Sequence, residues 1–204
     1  MDMRRRIYKM PLKKTDPDVL LMLRFKNGEE DEFRKLFSKY QTRIINFCFR
    51  FCSDRVLAED LAQEVFLRVY RAANQYRPKA RFSTWIYRIA VNVCLNESRK
   101  LKKRYLTQST DRPVADNQDS RLPEYRDENQ VSADDMMASM QRDEQIKKAL
   151  QNLPEQQRMA VLLRIYNEFS YNEIAGQMSV SEGKVKTLIF RGRQALKQTL
   201  KGSL

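Results

Sequence analysis

The sequence predicts an all-α protein made of two small helical domains joined by a flexible acidic linker. The 204 residues include only 5 Gly and 6 Pro, too few of the turn signals that a many-stranded sheet needs. Apolar residues recur at spacings of three and four over long stretches, which is typical of amphipathic helices. Between two such regions the charge reverses: residues 107–144 hold ten acids and four bases, while the whole chain has a formal net charge of +13.

The acidic stretch sets the expected domain organisation. It has few large apolar residues and no sustained periodicity, so it cannot bury enough surface to offset its chain entropy. A surface loop of this length within one compact domain is improbable. We therefore predict a first domain at 1–104, a flexible linker at 105–140 and a second domain at 141–204.

Composition argues against an enzyme. The chain has no histidine, which removes Ser-His and Cys-His nucleophile pairs and most general-base schemes. Its three cysteines, Cys48, Cys52 and Cys94, are too few for a zinc site and are interpreted as small buried hydrophobes. We predict no catalytic residue, no metal site and no cofactor. No apolar run approaches the ~18 residues of a membrane span, so a cytoplasmic protein without membrane insertion is expected.

Four helices are predicted in the first domain. The first begins at Asp16-Pro17 and ends at Asn27-Gly28, the second carries an apolar face from Phe33 to Phe51, the third runs from Asp54 to Arg77-Pro78, and the fourth starts with Ser83 as its cap.

The fourth helix is strongly basic, because residues 81–104 hold seven bases and one acid. Trp85 falls on the polar side of this helix. Its ring either packs partly in the core or stacks on a nucleic-acid base, and the neighbouring Asn and Arg side chains favour stacking. The basic run 99–104 either matches the helix dipole or contacts phosphates, and its charge favours phosphates. A polar stripe opposite the core comprises Arg88, Asn92, Asn96, Arg99 and Lys103.

The third helix carries an acidic face with Asp60, Gln63, Glu64 and Leu67 at spacings of three and four. Periodicity alone leaves two interpretations equally open: a solvated surface, or a docking face for a basic protein partner.

The second domain contains the pattern of a helix-turn-helix. Ser170 and Glu173 form a capping box, a turn follows at Ser179-Val180, and Ser181 caps a final long helix. In this motif the second helix enters the major groove of DNA. Phe190 lies opposite the core face of that helix, where it either meets thymine methyl groups or packs on a neighbouring helix.

Three blocks together resemble the extracytoplasmic-function (ECF) sigma factors of bacteria: Asp60-Leu61-Ala62-Gln63-Glu64-Val65-Phe66-Leu67, then Phe82-Ser83-Thr84-Trp85-Ile86-Tyr87-Arg88-Ile89-Ala90-Val91-Asn92, and the segment from Leu153-Pro154-Glu155 to Arg193. The resemblance implies an RNA polymerase sigma factor with a region 2 bundle and a region 4 helix-turn-helix. Core RNA polymerase, promoter DNA and an anti-sigma factor would be its partners, in a stress or envelope response.

The resemblance also implies three sets of contact residues. The core-binding set, which would dock on the β′ clamp helices, is Asp60, Gln63 and Glu64. The −10 set, which would bind and melt the −10 element, is Phe82, Ser83, Thr84, Trp85, Arg88, Asn92, Asn96, Arg99 and Lys103. The −35 set is Lys184, Lys186, Thr187, Phe190 and Arg191. The second domain would also touch the β flap, and the loop from Pro78 to Thr84 would, with Asn92, hold a flipped base.

Two positions depart from the family pattern. Ser179 stands where the family usually has Gly, so the turn is expected to differ locally, because Ser adopts a left-handed conformation less readily. Lys184 replaces the usual Thr at the start of the recognition helix. The competing interpretation is a free-standing helix-turn-helix regulator that dimerises on a palindromic site. A nucleic-acid-processing enzyme with a carboxylate metal site is the weakest alternative.

Overall fold

A computed structural model describes residues 16–107 and 133–201, and within these ranges every regular element is helical. A short 3-10 helix, Ala73–Gln75, lies among eight α-helices, which are α1 (Pro17–Lys26), α2 (Glu30–Cys52), α3 (Arg55–Arg71), α4 (Phe82–Thr107), α5 (Ala133–Gln151), α6 (Glu155–Ile165), α7 (Tyr171–Met178) and α8 (Glu182–Lys201). The predicted all-α fold is therefore confirmed.

The first module comprises α1 to α4. A single carboxylate, that of Asp16, accepts hydrogen bonds at the N-termini of two of these helices. The Asp16 carboxylate accepts a hydrogen bond from the Asp18 backbone N–H at 3.1 Å, as expected of an N-cap. Its other oxygen accepts from the Phe82 backbone N–H at 3.0 Å, at the start of α4. The prediction that Ser83 caps α4 is wrong, because the helix begins one residue earlier and its first donor is satisfied from α1.

The third helix also ends earlier than predicted. Its predicted start at Asp54 is confirmed, since Asp54 is the N-cap and its side chain accepts from the Leu57 N–H at 2.9 Å, but the helix stops at Arg71 and not at Arg77-Pro78. The chain then tightens into the 3-10 helix, and Ala73 and Tyr76 turn into the core. Because these two side chains are buried, α3 ends before it reaches Pro78.

The core of the first module is rich in aromatic rings, and all three cysteines belong to it. Cys48 and Cys94 are fully buried with their sulfur atoms 3.7 Å apart, and Cys52 is partly buried. All three are free thiols, and the interpretation as small buried hydrophobes is confirmed for Cys48 and Cys94, whereas Cys52 packs on the core and is only partly buried. Burial raises the pKa of the Cys52 thiol to about 12, so it stays protonated at neutral pH.

The second module comprises α5 to α8, and α8 packs closely on α6. Gly192 allows this approach, because a Cβ at that position would lie 2.7 Å from a methyl carbon of Val161. Both ends of the predicted linker 105–140 are helical: α4 continues to Thr107 and α5 begins at Ala133. The rest of the predicted flexible linker, residues 108–132, lies outside the described residues.

The two modules pack against each other, which the sequence did not predict. Helices α2 and α4 contact α5, α6 and α7, and the buried apolar residues of both modules form one cluster. The rings of Tyr87 and Phe169 meet edge to face at 5.4 Å. Arg158 donates to the Phe51 carbonyl oxygen at 2.6 Å, and Gln151 donates to the same oxygen at 3.1 Å.

Candidate DNA and polymerase interfaces

The helix-turn-helix is built from α7 and α8 and begins with the predicted capping box. The Ser170 hydroxyl accepts from the Glu173 N–H at 3.3 Å, and the Glu173 carboxylate accepts from the Ser170 N–H at 2.9 Å. These reciprocal bonds satisfy two N–H groups that a helix start otherwise leaves without partners.

The turn between α7 and α8 keeps the left-handed conformation despite its serine. Ser179 has φ 56° and ψ 46°, and the Val180 N–H donates back to the Ala175 carbonyl at 3.1 Å. This is the hydrogen-bond pattern of a helix stop at a left-handed residue. The expectation of a locally different turn is therefore wrong, and the chain bears the steric cost of a Cβ at that position.

The recognition helix α8 has one buried side and one exposed side. Val185, Ile189 and Gly192 are buried, and Ser181 caps the helix by accepting from the Lys184 N–H at 3.3 Å. All five residues of the −35 set are exposed. Phe190 is 63% exposed, which removes packing on a neighbouring helix as the explanation for its position.

The polar stripe of α4 is likewise open to solvent. Arg88, Asn92, Asn96, Arg99 and Lys103 are all exposed and follow one side of the helix, with Arg99 donating to the Asn96 side chain at 3.3 Å. Four or five turns of exposed Arg, Lys and Asn can bind a phosphate backbone while amide groups meet base edges.

The four residues at the start of α4 are less accessible. Phe82 is fully buried, with its ring centroid 5.2 Å from that of Tyr40, so it supports the helix start and presents no surface to DNA. Trp85 is half-buried and packs on the Tyr76 ring at 4.8 Å. Ser83 and Thr84 are also half-buried, and the Thr84 hydroxyl donates to the Glu173 carboxylate of the second module at 3.3 Å.

The acidic face of α3 lies on a part of the first module that the second module leaves uncovered. Asp60 and Gln63 are exposed, and the Glu64 carboxylate accepts from Arg68 Nε at 2.7 Å. Leu67 is exposed beside them, and Val56, one turn before Asp60, is 72% exposed. Exposed apolar side chains among carboxylates suit a protein partner better than DNA.

Sequence reasoning missed a second apolar face of α4. Tyr87, Val91 and Leu95 are buried at spacings of four, and Tyr87 packs on Phe169 of the second module. The available signal was that α4 has apolar residues on more than one side, which indicates burial against two neighbours.

Two classes of site find no support in the described ranges. Across 16–107 and 133–201, no three side chains of the metal-binding types come together. None of the helices in the same ranges combines the length and apolar character that a membrane span requires.

An exposed basic recognition helix beside a second basic helical module defines a transcription factor of the helix-turn-helix class. Residues 36–104 match the family Sigma-70 region 2, and residues 143–196 match the family Sigma-70, region 4. The ECF RNA polymerase sigma factor SigW of Bacillus subtilis is 32% identical over 176 residues, which is 86% of this chain and 92% of that protein. The chain therefore belongs to the ECF family of RNA polymerase sigma factors. As such it is a transcription initiation factor that directs core polymerase to promoters, and not an enzyme.

Other relatives agree in sequence and in fold. The ECF RNA polymerase sigma-E factor of Escherichia coli is 32% identical over 181 residues, covering 88% of this chain and 92% of that protein. Two solved structures share the fold: CnrH in complex with the cytosolic domain of CnrY (TM-score 0.67, 18% identity, 93% of this chain and 100% of that one), and RpoE in complex with the anti-sigma factor NepR from Bartonella quintana (TM-score 0.63, 20% identity, 83% and 97%).

Proposed function

We propose that this sigma factor selects promoters through the −35 set on α8 and the −10 set on α4. The observation that carries the proposal is the division of α8 into two sides. One side is buried in the second module, and all five residues of the −35 set stand exposed on the other. A helix held in this way can enter the major groove without losing its packing. Lys and Arg then contact phosphates, and Phe190 meets thymine methyl groups.

The −10 set divides by accessibility into two roles. The exposed stripe from Arg88 to Lys103 binds the non-template strand. Thr84 and the open edge of Trp85 meet an unstacked base beside the loop 78–84. Phe82 acts from the core, because its ring supports Trp85 at 5.7 Å and thereby fixes the stacking surface.

The core-binding set docks on the β′ clamp helices of the polymerase, and the second module touches the β flap. Asp60, Gln63 and Glu64 supply the negative charge of the docking surface, and Val56 and Leu67 supply its apolar area. In both solved structures described above the similar chain is bound to a partner, and the second is a complex of a sigma factor with an anti-sigma factor. We propose that an anti-sigma factor also restrains this chain, in the cytoplasm, until an envelope or other stress releases it.

Multi-round transcription from a promoter library tests the proposal. Core polymerase is mixed with duplexes randomised over both promoter elements, with and without this chain, and the transcripts are sequenced. We expect chain-dependent transcripts that define two separated sequence elements. Phe190→Ala should change the upstream element, whereas Lys201→Ala, an exposed substitution at the far end of α8, should leave it unchanged. Binding to a palindrome with no transcripts above core polymerase alone would favour the free-standing regulator.

A further inference from the structure

Helix α1 is bonded to both ends of the loop that precedes α4. At the start of α1, the Asp16 carboxylate accepts a hydrogen bond from the Phe82 N–H at 3.0 Å. At the end of α1, the Lys26 ammonium group donates to the Tyr76 carbonyl oxygen at 3.1 Å. Tyr76 and Phe82 are the residues directly before and after the loop 77–81. One short helix therefore fixes both ends of this loop.

The loop 77–81 has little structure of its own to fix its position. Its Lys79 N–H donates to the Arg77 carbonyl oxygen at 2.8 Å, which closes a turn of three residues. All of its residues are exposed except Pro78, which is half-buried. A loop of this kind takes its position from the elements that hold its ends. The rigid element is α1, whose ten residues rise about 15 Å along the helix axis.

The two residues that α1 holds are also those on which Trp85 packs. The Tyr76 and Phe82 side chains are buried, and their ring centroids lie 4.8 Å and 5.7 Å from that of Trp85. Because α1 binds the backbone of the same two residues, any shift at either bond moves a ring on which Trp85 rests. The place and the angle of the Trp85 ring therefore depend on α1.

A second carboxylate of α1 supports Phe82 from another side. Asp18 is only 5% exposed, and it accepts from the Tyr40 hydroxyl at 2.7 Å and from the Lys39 ammonium group at 2.6 Å. A buried carboxylate is stable only when it is paired in this way. The Tyr40 ring in turn meets the Phe82 ring edge to face at 5.2 Å. Helix α1 thus acts on Phe82 directly, through its N–H, and indirectly, through Tyr40.

We propose that Asp16 and Lys26 are positioning residues of promoter melting, which hold the loop 77–81 and the Trp85 ring in the geometry that receives an unstacked base. The inference rests on the proposed function, which places the melting site at Trp85 and the neighbouring loop. A stacking surface that must first be ordered loses binding free energy to that ordering, so a surface fixed in advance binds the base more tightly. Asp16 and Lys26 act through their backbone partners and not by touching DNA.

Asp16→Asn separates this role from helix capping. Asn is as good an N-cap as Asp, so its side-chain oxygen can still accept from the Asp18 N–H. The second acceptor becomes an NH₂ group, which cannot accept from the Phe82 N–H. Asp54→Asn is the matched control, because Asp54 caps α3 and the substitution removes the same charge.

Lysine variants test the other end of α1. Lys26→Met removes the donor to the Tyr76 carbonyl oxygen, whereas Lys26→Arg keeps a donor and should preserve the role. Lys148→Met controls for the lost positive charge, because Lys148 is an exposed lysine of α5, in the second module.

The first measurement is made on the free chain and needs no DNA. Trp85 is the only tryptophan of the sequence, so quenching of tryptophan emission by acrylamide reports the accessibility of this one ring. We expect Asp16→Asn and Lys26→Met to raise the quenching constant, because the ring is held less firmly. Asp54→Asn, Lys148→Met and Lys26→Arg should keep the wild-type value.

The second measurement uses the holoenzyme assembled from core polymerase and the full chain. Its probes are a single-stranded −10 element, in the sequence that the promoter library defines, and the same strand with an abasic site at each position in turn. At the captured base, the wild type should bind the intact strand about tenfold more tightly than the abasic strand, as base–aromatic stacking predicts.

Asp16→Asn and Lys26→Met should lower this ratio of affinities toward one and leave the affinity for a −35 duplex unchanged. Lys26→Arg should restore the ratio. A general loss of stability would weaken binding of the intact and the abasic strand alike, so it would not change their ratio.

Trp85→Ala distinguishes failure of this proposal from failure of the proposed function. A ratio that is lost in Trp85→Ala but kept in Asp16→Asn and Lys26→Met would overturn the positioning role alone. A ratio that Trp85→Ala leaves unchanged would remove Trp85 from the melting site and overturn both. Equal increases in quenching for Asp16→Asn and Asp54→Asn would also overturn the positioning role, because the bond to Phe82 would then have no effect of its own on the ring.

Discussion

At the scale of single residues, the Asp16 carboxylate shows how a local signal can have a distant second role. The sequence pattern Asp16-Pro17 predicts a helix start, and the structure confirms it. The second bond, to the N–H of Phe82, joins residues 66 positions apart. No local pattern reports such a partner, so this role could not be predicted from the sequence.

Replacing Asp16 by Ala should therefore cost about twice as much as an ordinary cap. Loss of one capping side chain typically costs ~1 kcal/mol, so Asp16→Ala should lower the free energy of unfolding by about 2 kcal/mol. Asp54→Ala is the matched control, because Asp54 caps α3 alone, and it should cost ~1 kcal/mol. Urea titration followed by circular dichroism measures both. Equal losses would mean that the bond to Phe82 contributes nothing.

A second prediction at the scale of single residues concerns the role of Phe190 in DNA binding. Phe190→Ala should weaken binding to a cognate −35 duplex by about 1–3 kcal/mol and barely change binding to a scrambled duplex, because the ring contacts bases and not phosphates. Ile165→Ala, which removes an exposed apolar side chain from α6, should leave both affinities unchanged. Fluorescence anisotropy gives the four values. If Phe190→Ala weakens both duplexes equally, the ring does not read sequence.

At the scale of helices, the sequence identified the four helices of the first module and the helix-turn-helix, but not all of their limits or faces. The position of Phe190 opposite the core face of α8 was predicted correctly, because the buried residues of this helix recur at helical spacing. The end of α3 was misplaced by six residues, because its stop depends on burial of Ala73 and Tyr76 by the rest of the module. The second apolar face of α4 was missed for the same reason: its partner, Phe169, lies on another module.

The acidic face of α3 gives a prediction at this scale. Glu64→Lys reverses a charge of the core-binding set and places a lysine beside Arg68, so affinity for core polymerase should fall at least tenfold, as when charges of one sign meet across an interface. Asp31→Lys is the control, since Asp31 is also an exposed acid paired with an arginine, on α2. Titration of labelled chain with core polymerase measures both affinities. If both variants lose the same affinity, the effect is one of net charge and the acidic face of α3 is not a specific docking surface.

At the scale of the whole molecule, buried phenols make stability depend on alkaline pH. Burial raises the pKa of Tyr40, Tyr76 and Tyr87 above the ordinary value of 10.0. A group with a raised pKa in the folded state contributes its full stability below the unfolded pKa and loses it as pH rises further. The free energy of unfolding should therefore fall above about pH 10, by up to about 1.4 kcal/mol per pH unit for each phenol.

Tyr76→Phe tests this prediction, because it removes an ionisable hydroxyl and keeps the ring that packs in the core. Among the described residues the Tyr76 hydroxyl has no hydrogen-bond partner, so its removal should not lower stability at pH 8. Above pH 10 the variant should lose stability less steeply than the wild type. Urea titrations at several pH values provide the comparison, and parallel curves for the two proteins would contradict the assignment.

The arrangement of the two modules is the feature that the sequence could not supply. Each module was recognisable, because its helices and caps are encoded locally. Their contact depends on pairs such as Thr84 with Glu173, which are 89 positions apart and individually unremarkable as sequence.

The contact between Arg158, Gln151 and the end of α2 also bears on how this protein can change over generations. Both side chains bind the carbonyl oxygen of Phe51, an atom that every amino acid possesses. A substitution at position 51 that preserves the helix keeps the acceptor, whereas loss of Arg158 or Gln151 removes a donor. For these two hydrogen bonds the constraint on side-chain identity therefore falls on the second module, which supplies both donors, whereas Phe51 is constrained by its own burial and by its ring, 5.5 Å from the Arg158 guanidinium carbon.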